Sequence, residues 1–392
     1  MDSGNWVKRA DTRRIKAIAV FGTRPEAIKM APLLTALSQS VFFQVKSVAT
    51  GQHRRILNQV LSVFGIKPDY DLKIMTRGQS LVEITNRVLK GLTPIIKRES
   101  PDLIIVQGDT TTTFASCLAA FYSGVKVAHI EAGLRTGNKQ HPFPEEANRV
   151  LTTHLADWHF APTSEAKANL IRENVSVESI FVTGNTVIDA LFQCLVGQTL
   201  HPRFAGKDQL ILVTAHRREN WGEPLERIVS ALKGILKDNP RAEMMIPVHP
   251  NPRVRKVFYR QLAGDPRVHL LEPFDYREMV AALSTAYLII TDSGGIQEEA
   301  AALGKPVLVL RETTERPEGA KTGAIKLVGT QPELIISEAT RLLQDQTAYR
   351  TMAQKVHLYG DGKAAARIVS GLLYIFGLAQ SRPADFEPVT NL

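Results

Sequence analysis

AIAVFGTRPEAIKMAPLL, residues 17–34, contains an apolar run, a glycine turn and the start of an amphipathic stretch. Short apolar runs alternate with longer amphipathic stretches along the rest of the chain, a pattern typical of a parallel sheet flanked by helices. The predicted strands are 17–21, 45–49, 103–107, 126–130, 158–161, 180–183, 210–214, 243–248, 268–271, 287–291, 307–310 and 324–327, and predicted helices include 228–237, 296–303 and 364–376. We therefore predict an α/β fold.

The length of the chain predicts two domains, since 392 residues exceed what one hydrophobic core normally organises. The periodicity breaks at 195–208, where glycines and a proline interrupt it. We expect two Rossmann-like domains that face a central cleft. The predicted segments are a flexible extension over 1–15, a first domain over 16–195, a second domain over 196–363, and a helix and tail over 364–392. The sequence leaves open which half this last segment packs on, with packing back on the first domain as one option.

Composition excludes several classes of protein. No apolar run is long enough to span a membrane, and the first sixteen residues lack the apolar core of a signal peptide. Cys117 and Cys194 have no partner at metal-ligand spacing, so we expect a buried Cys117 thiol and a reducing cytoplasm. The net charge of +9 lies partly in the basic start of the chain and is otherwise scattered. It predicts a solvated surface with a few cations for a phosphate-bearing ligand, not a nucleic-acid binder.

Polar residues follow the predicted strands of the first half, where ligands of open α/β sheets bind. After the first strand, Arg24 and Lys29 provide cations for a phosphate or carboxylate, or only solvate a helix start. Asp109 follows the third strand and is either functional or part of a helix cap. Glu131 ends the fourth strand, with a simple ion pair to Arg135 as the alternative.

A proline-stiffened loop over 141–146 then leads into a helix and carries Glu145, although acids are also routine in the first turn of a helix. Together with His129, Glu131 and His141 it raises the question of a metal site. Their spacing matches no ligand signature, so we expect no metal.

The second half has two informative strand ends. His216 lies beside Arg217 and Arg218, which indicates an anionic ligand or, alternatively, ion pairs from these arginines to Glu219 or Glu223. The turn Ser293-Gly294-Gly295 opens a predicted helix and suits a diphosphate, because backbone N–H groups point out of a helix N-terminus. Glu299, one turn later, is placed to accept hydrogen bonds from ribose hydroxyls.

These segments resemble one known family, the non-hydrolysing bacterial UDP-N-acetylglucosamine 2-epimerases. The matching stretches are FGTRPEAIKMAPL from Phe21, GDTTTT from Gly108, HIEAGLRTG from His129, PFPEEANR from Pro142, GNTVIDAL from Gly184, TAHRREN from Thr214, PVHPNP from Pro247, DSGGIQEEA from Asp292 and TTERPEG from Thr313. The resemblance implies a glycosyltransferase-B fold and reversible conversion of UDP-GlcNAc into UDP-ManNAc. UDP is eliminated as a proton leaves C2 of the sugar, and it adds back to 2-acetamidoglucal after reprotonation on the other face.

The same resemblance assigns roles to individual residues. It implies catalytic roles for Asp109, Glu131, Glu145 and His216, and substrate contacts for Arg24, Lys29, Ser293, Gly294, Gly295, Glu299 and Arg316. Gln52, His53, Arg217 and His249 occupy positions of an activating second UDP-GlcNAc site, although Gly78 replaces an arginine found in regulated members. The family implies no metal or cofactor, and dimers are common in it.

Three other functions are compatible with parts of this pattern. A hydrolysing epimerase would release free N-acetylmannosamine, and a glycosyltransferase of the same fold would require an acceptor. A UDP-sugar sensor would lack the acids, whereas Asp109, Glu131 and Glu145 are all present.

Overall fold

The computed structural model describes residues 13–51, 60–76, 78–196, 204, 206–313, 319, 323–355 and 357–388. The strands are β1 Ile15–Phe21, β2 Phe43–Ala49, β3 Tyr70–Asp71, β4 Leu103–Gln107, β5 Lys126–Ile130, β6 Trp158–Ala161, β7 Ile180–Val182, β8 Leu210–Thr214, β9 Glu243–Pro247, β10 Val268–Leu271, β11 Leu288–Thr291, β12 Val307–Val309 and β13 Ile325–Leu327. The helices are α1 Arg24–Gln39, α2 Leu81–Glu99, α3 Thr111–Tyr122, α4 Glu145–Leu155, α5 Ser164–Arg172, α6 Thr186–Leu195, α7 Glu223–Asp238, α8 Pro252–Leu262, α9 Tyr276–Thr285, α10 Gly294–Ala302, α11 Pro332–Gln344, α12 Gln346–Met352 and α13 Ala364–Ile375.

Among the described residues the strands form two parallel sheets of the Rossmann type. The first has the order β3-β2-β1-β4-β5-β6-β7 and the second the order β10-β9-β8-β11-β12-β13. In each sheet the strand order reverses next to the first strand, between β1 and β4 or between β8 and β11. The two halves of the chain therefore repeat one doubly wound topology.

The predicted strands are confirmed, because each of the twelve lies on an observed strand. The structure also contains β3, a two-residue edge strand that the sequence pattern did not predict and that pairs with β2 over Val48 and Ala49. One boundary also differs. Ile15 was assigned to the extension but begins β1, since its N–H donates to Phe42 O and its side chain is buried. Arg13 and Arg14 of the predicted extension are also described, and Arg13 forms an ion pair with Asp102 at 2.9 Å. Residues 1–12 lie outside the described part of the chain.

Local sequence explains where α1 begins. Thr23 caps the helix, and Glu26 completes a capping box with it. The Glu26 carboxylate is buried, and besides accepting the N–H groups of Gly22 and Thr23 it accepts the hydroxyls of Thr110 and Thr113. This acid therefore joins the ends of β1 and β4. Burial raises the pKa of Glu26, and these hydrogen bonds partly oppose the rise.

One hydrophobic cluster extends across both sheets and includes side chains from β1 and β4 as well as from β8 and β12, and each sheet packs a further cluster of its own. Helix α6 lies at their junction and packs against α9 and α10 of the second half. Helix α13, whose partner half the sequence left open, packs on α1 and α6 of the first half. The C-terminal tail also packs on the first half, because Asp385 bonds Lys167 and accepts the N–H of Val182.

Both cysteines are buried and unpaired with each other, as expected for Cys117. No helix in the described part of the chain has the length and apolar character needed to cross a bilayer.

Candidate active site

The polar strand ends singled out from the sequence lie at the switch points of both sheets. Gly22 and Gly108 follow β1 and β4 in the first sheet, and Ala215 and Asp292 follow β8 and β11 in the second. Ligands of open α/β sheets bind beyond the carboxyl ends of the strands at such points. The candidate residues thus fall into one set on each domain.

The first set is centred on Glu131, which directly follows β5 in the left-handed conformation, at φ 61°. Its side chain is only 5% exposed and forms an ion pair with Lys29, with Nζ to Oε distances of 2.5 and 2.7 Å. Gln107, the last residue of β4, donates to Oε2, and Asn185 donates to Oε1 at 2.8 Å. The alternative pairing with Arg135 is wrong, because Arg135 instead forms a two-pronged ion pair with Glu173.

Asp109 is the second carboxylate of this set. It does not cap α3, since Thr110 performs that role; instead Arg149 on α4 contacts its Oδ2 at 2.7 Å. Arg149 also binds Glu146 at 2.9 Å, so one buried guanidinium is shared by two acids. The Asp109 side chain remains 26% exposed. This carboxylate is therefore held in position and remains partly accessible.

Glu145, the first residue of α4, is the third acid of this set. Burial raises the pKa of Glu145, and the charge of Asp109 raises it further, whereas Arg217 and Arg149 oppose the rise. Within the described part of the chain no donor bonds its buried Oε2 atom. A carboxyl group in this environment retains its proton more readily than an ordinary glutamate.

The second domain contributes His216, which follows β8. Its Nδ1 lies 3.2 Å from Oδ1 of Asp292, which is completely buried. Oδ2 of Asp292 accepts the N–H groups of His216 and Arg217 and the amide of Asn220. His216 stacks on His249 with ring centroids 5.4 Å apart. Asp292 therefore holds the backbone of His216 in place, and the imidazole ring remains partly exposed.

The alternative ion pairs for Arg217 and Arg218 are not those in the structure. Glu219 instead lies 2.9 Å from Arg311, and Glu223 pairs with Arg227.

The turn Ser293-Gly294-Gly295 opens helix α10, as its sequence predicts. The Ser293 side chain makes no capping hydrogen bond, so it does not occupy the first N–H groups of the helix. Apart from its chain neighbours and the backbone of its own helix, no described atom lies within 4 Å of a Cβ built on Gly295, which leaves open space beside this helix end. The arrangement can accept an anion against backbone donors.

Glu299 lies one turn into α10 and is buried. It accepts a 2.8 Å hydrogen bond from the Tyr276 hydroxyl. Burial raises the pKa of Glu299 to about 7; the charge of Glu298 adds to the rise, while Tyr276, Lys29 and Arg24 oppose it. Asn185 donates hydrogen bonds both to Glu131 of the first set and to Glu298, the neighbour of Glu299, so the two sets of residues meet. Burial in turn lowers the pKa of Arg24, against the charges of Glu299 and other groups of the second domain.

Several expected positions are not described. Arg316, Gln52 and His53 lie outside the described residues.

In the described part of the chain no three His, Cys, Asp or Glu side chains are grouped to hold a metal ion. His129 contacts the carbonyl of Gly108 at 2.7 Å, and burial lowers its pKa to about 4.

Sequence reasoning missed several residues that build this site. They are Gln107, Glu146, Arg149, Asn185, Asp292, Tyr276 and Glu298. The position of Gln107, a polar residue at the end of a buried strand, was a usable signal. Arg149 follows Glu145 by one helical turn, which was another. The role of Tyr276 had no local signal, because its contact depends on how α9 packs on α10.

Two doubly wound domains whose switch points meet, one carrying acids and the other a histidine and a helix N-terminus that Ser293 does not cap, define a protein of the glycosyltransferase-B type. A protein-family profile described as UDP-N-acetylglucosamine 2-epimerase matches residues 35–373. The UDP-N-acetylglucosamine 2-epimerase of Bacillus subtilis (strain 168) is 50% identical over 376 residues, which cover 95% of this chain and 99% of that protein. This chain therefore belongs to the UDP-N-acetylglucosamine 2-epimerase family.

Solved structures agree with this assignment. A Neisseria meningitidis UDP-GlcNAc 2-epimerase bound to UDP-GlcNAc is 48% identical, with a TM-score of 0.88 over 92% of this chain and all of that one. An S. aureus co-structure with UDP is 45% identical, with a TM-score of 0.91 over 95% of this chain and all of that one.

Proposed function

We propose that this chain interconverts UDP-GlcNAc and UDP-ManNAc by eliminating and re-adding UDP, without net hydrolysis. The Bacillus subtilis and Neisseria meningitidis relatives carry the epimerase name, and two solved relatives hold UDP or UDP-GlcNAc. One observation carries the proposal. Glu131 of the first domain and Glu298 on α10 of the second both accept hydrogen bonds from Asn185. Acids of one domain therefore lie next to the helix end that suits a diphosphate on the other.

The reaction needs two proton-transfer groups in opposite states. A base takes the proton from C2 while the bond between C1 and the UDP oxygen breaks, which leaves a C1=C2 double bond in 2-acetamidoglucal. An acid then delivers a proton to the opposite face of C2 as UDP bonds again to C1. One group must therefore be ionised and the other protonated at the start of each turnover.

Glu145 fits the protonated role, because burial and the charge of Asp109 raise its pKa. Asp109 and Glu131 are the ion-paired carboxylates available as proton acceptors, held by Arg149 and Lys29. A closed cleft also keeps the intermediate from water.

The second domain would hold the nucleotide. The N-terminus of α10, including Ser293, Gly294 and Gly295, accepts the diphosphate, and His216 contacts it from the end of β8. Glu299 accepts the ribose hydroxyls. Arg24 begins α1 of the first domain, and we expect its charge to balance the diphosphate and assist departure of UDP. A UDP contact from Arg316 stays a prediction, as does a second UDP-GlcNAc site near Arg217 and His249.

We further propose that the chain forms a homodimer. Helix α2 packs on α3 and α3 packs on α4, and these helices expose Val82, Phe121, Tyr122 and Leu151, which are 47–73% accessible. An apolar surface of this kind suits a second copy of the chain. Light scattering should give twice the 43.3 kDa of one chain, and a mass of one chain at micromolar concentration would contradict the dimer. The cytoplasmic location stays a prediction.

NMR of UDP-GlcNAc incubated with the protein in D2O tests the enzymatic proposal. We expect an equilibrium of UDP-GlcNAc and UDP-ManNAc with deuterium at C2 and with no acceptor added. Glu131→Gln should lower turnover by about 10²-fold, whereas the exposed control Glu333→Gln should not. Free N-acetylmannosamine as the main product would indicate a hydrolysing enzyme, and turnover only with an acceptor would indicate a transferase. Protium retained at C2 would exclude the elimination route.

A further inference from the structure

Asn185 occupies the point where the two halves of the candidate site meet. It follows β7, caps helix α6 and is only 3% exposed. Its backbone N–H donates to the carbonyl of Tyr359, near the end of the second half of the chain, at 2.6 Å. This backbone hydrogen bond alone holds the residue at the junction of the domains.

The side-chain amide of Asn185 joins two carboxylates. Its Nδ2 donates to Oε1 of Glu131 at 2.8 Å and to Oε2 of Glu298 at 2.6 Å. Its Oδ1 accepts the N–H of Val187 at 3.2 Å, which is the helix cap. The amide has one orientation that satisfies all three bonds. Reversing it would place an oxygen between two carboxylates and leave the cap without an acceptor.

The two carboxylates belong to different parts of the reaction. Glu131 is in the proton-transfer set of the first domain and carries the ion pair with Lys29. Glu298 is buried on α10, five residues after Ser293 and next to Glu299. A residue that binds both sets the position of the proton-transfer carboxylates relative to the helix end that would hold the diphosphate.

We propose that Asn185 is a positioning residue that holds Glu131 in register with helix α10, so that loss of the C2 proton and departure of UDP occur together. This inference rests on the proposed function. Hydrogen bonds to buried carboxylates are among the stronger ones, and small misplacements in an active site cost rate more than affinity. A variant at this position is therefore expected to have a lower kcat. It is also expected to release more 2-acetamidoglucal, because a misaligned site returns UDP to C1 less often before this intermediate escapes.

Asn185→Ser is the informative variant. Serine is as good a helix cap as asparagine, so α6 keeps its first hydrogen bond, but a single short hydroxyl cannot donate to both carboxylates. Asn251→Ser is the matched control. Asn251 caps α8 in the same way, through Oδ1 and the N–H two residues later at 2.9 Å.

The experiment measures kcat, KM, UDP affinity by calorimetry, and the ratio of released 2-acetamidoglucal to epimerised product. For Asn185→Ser we expect kcat to fall about tenfold or more, KM and the Kd for UDP to stay within about threefold, and the release ratio to rise. The release ratio is independent of the amount of folded enzyme, so a purely structural role would not change it. Asn251→Ser should match the wild type in all four measurements.

Other outcomes would overturn the inference. A normal kcat and release ratio in Asn185→Ser, beside an active wild type, would remove the positioning role alone. A parallel loss of kcat and UDP affinity would show that Asn185 acts through nucleotide binding instead. A wild type that forms no UDP-ManNAc would refute the proposed function, and this inference with it.

Discussion

Replacing Glu299 with glutamine should stabilise the protein at neutral and alkaline pH. The side chain is buried, and its pKa rises from the ordinary 4.5 to about 7, chiefly because burial disfavours the charge. That rise corresponds to about 3 kcal/mol of differential interaction between the protonated and ionised forms. The folded protein binds this proton more tightly than the unfolded chain. The stabilisation that comes from this bound proton is therefore complete below pH 4.5 and is lost as the pH rises through 7.

Glu299→Gln keeps an acceptor for the Tyr276 hydroxyl but cannot ionise. The free energy of unfolding of the variant, minus that of the wild type, should grow by about 2 to 3 kcal/mol between pH 5 and pH 8. Urea unfolding followed by tryptophan fluorescence at pH 5, 6, 7 and 8 measures this difference. Exposed Glu333→Gln is the control and should show no such growth. A Glu299→Gln difference that stays constant over this pH range would refute the argument from burial.

Two further predictions concern single residues. Glu145→Gln should lower turnover by about 10²-fold and leave UDP affinity within about threefold. It should also remove the alkaline limb of the plot of kcat against pH, which lies above the ordinary glutamate range because the raised pKa of Glu145 keeps its proton to higher pH. Kinetics across pH would measure this, and normal turnover would remove Glu145 from the proton-transfer set. Gly22→Ala should lower the melting temperature, at a cost of about 1–3 kcal/mol, because its Cβ would lie 2.3 Å from Thr50 Oγ1 and 2.6 Å from Thr112 Oγ1. Gly264→Ala, where no described atom lies within 4 Å of the new Cβ, is the calorimetric control, and equal melting temperatures for the two variants would contradict the packing argument.

The positions of the elements followed from local pattern. Strand β4 at Leu103–Gln107 and strand β8 at Leu210–Thr214 have the bounds that their apolar runs predict. Burial on both faces demands a continuous apolar run, and that demand is written in neighbouring residues. The edge strand β3 was not predicted, because two residues bordered by polar ones do not form an apolar run. The same reasoning identified polar strand ends as candidate ligand contacts, whatever strands lie beside them.

The partners of those polar residues could not be predicted locally. Lys29, expected to contact substrate, lies against Glu131, which is 102 residues away. Arg135, considered as the partner of Glu131, binds Glu173 because α5 packs beside it. An ion pair forms between whichever charges the packing brings together, and sequence spacing does not constrain that choice outside a single helix.

The sequence by itself determined the alternation of strands and helices, the glycine turns, the helix caps and the list of acids and cations at strand ends. Each of these depends on the preferences of residues a few positions apart. Only the tertiary structure decided the strand order that makes those ends switch points, and the contact of Asn185 with Glu298 across 113 residues. These depend on which surfaces exclude water together, a property of the whole folded chain.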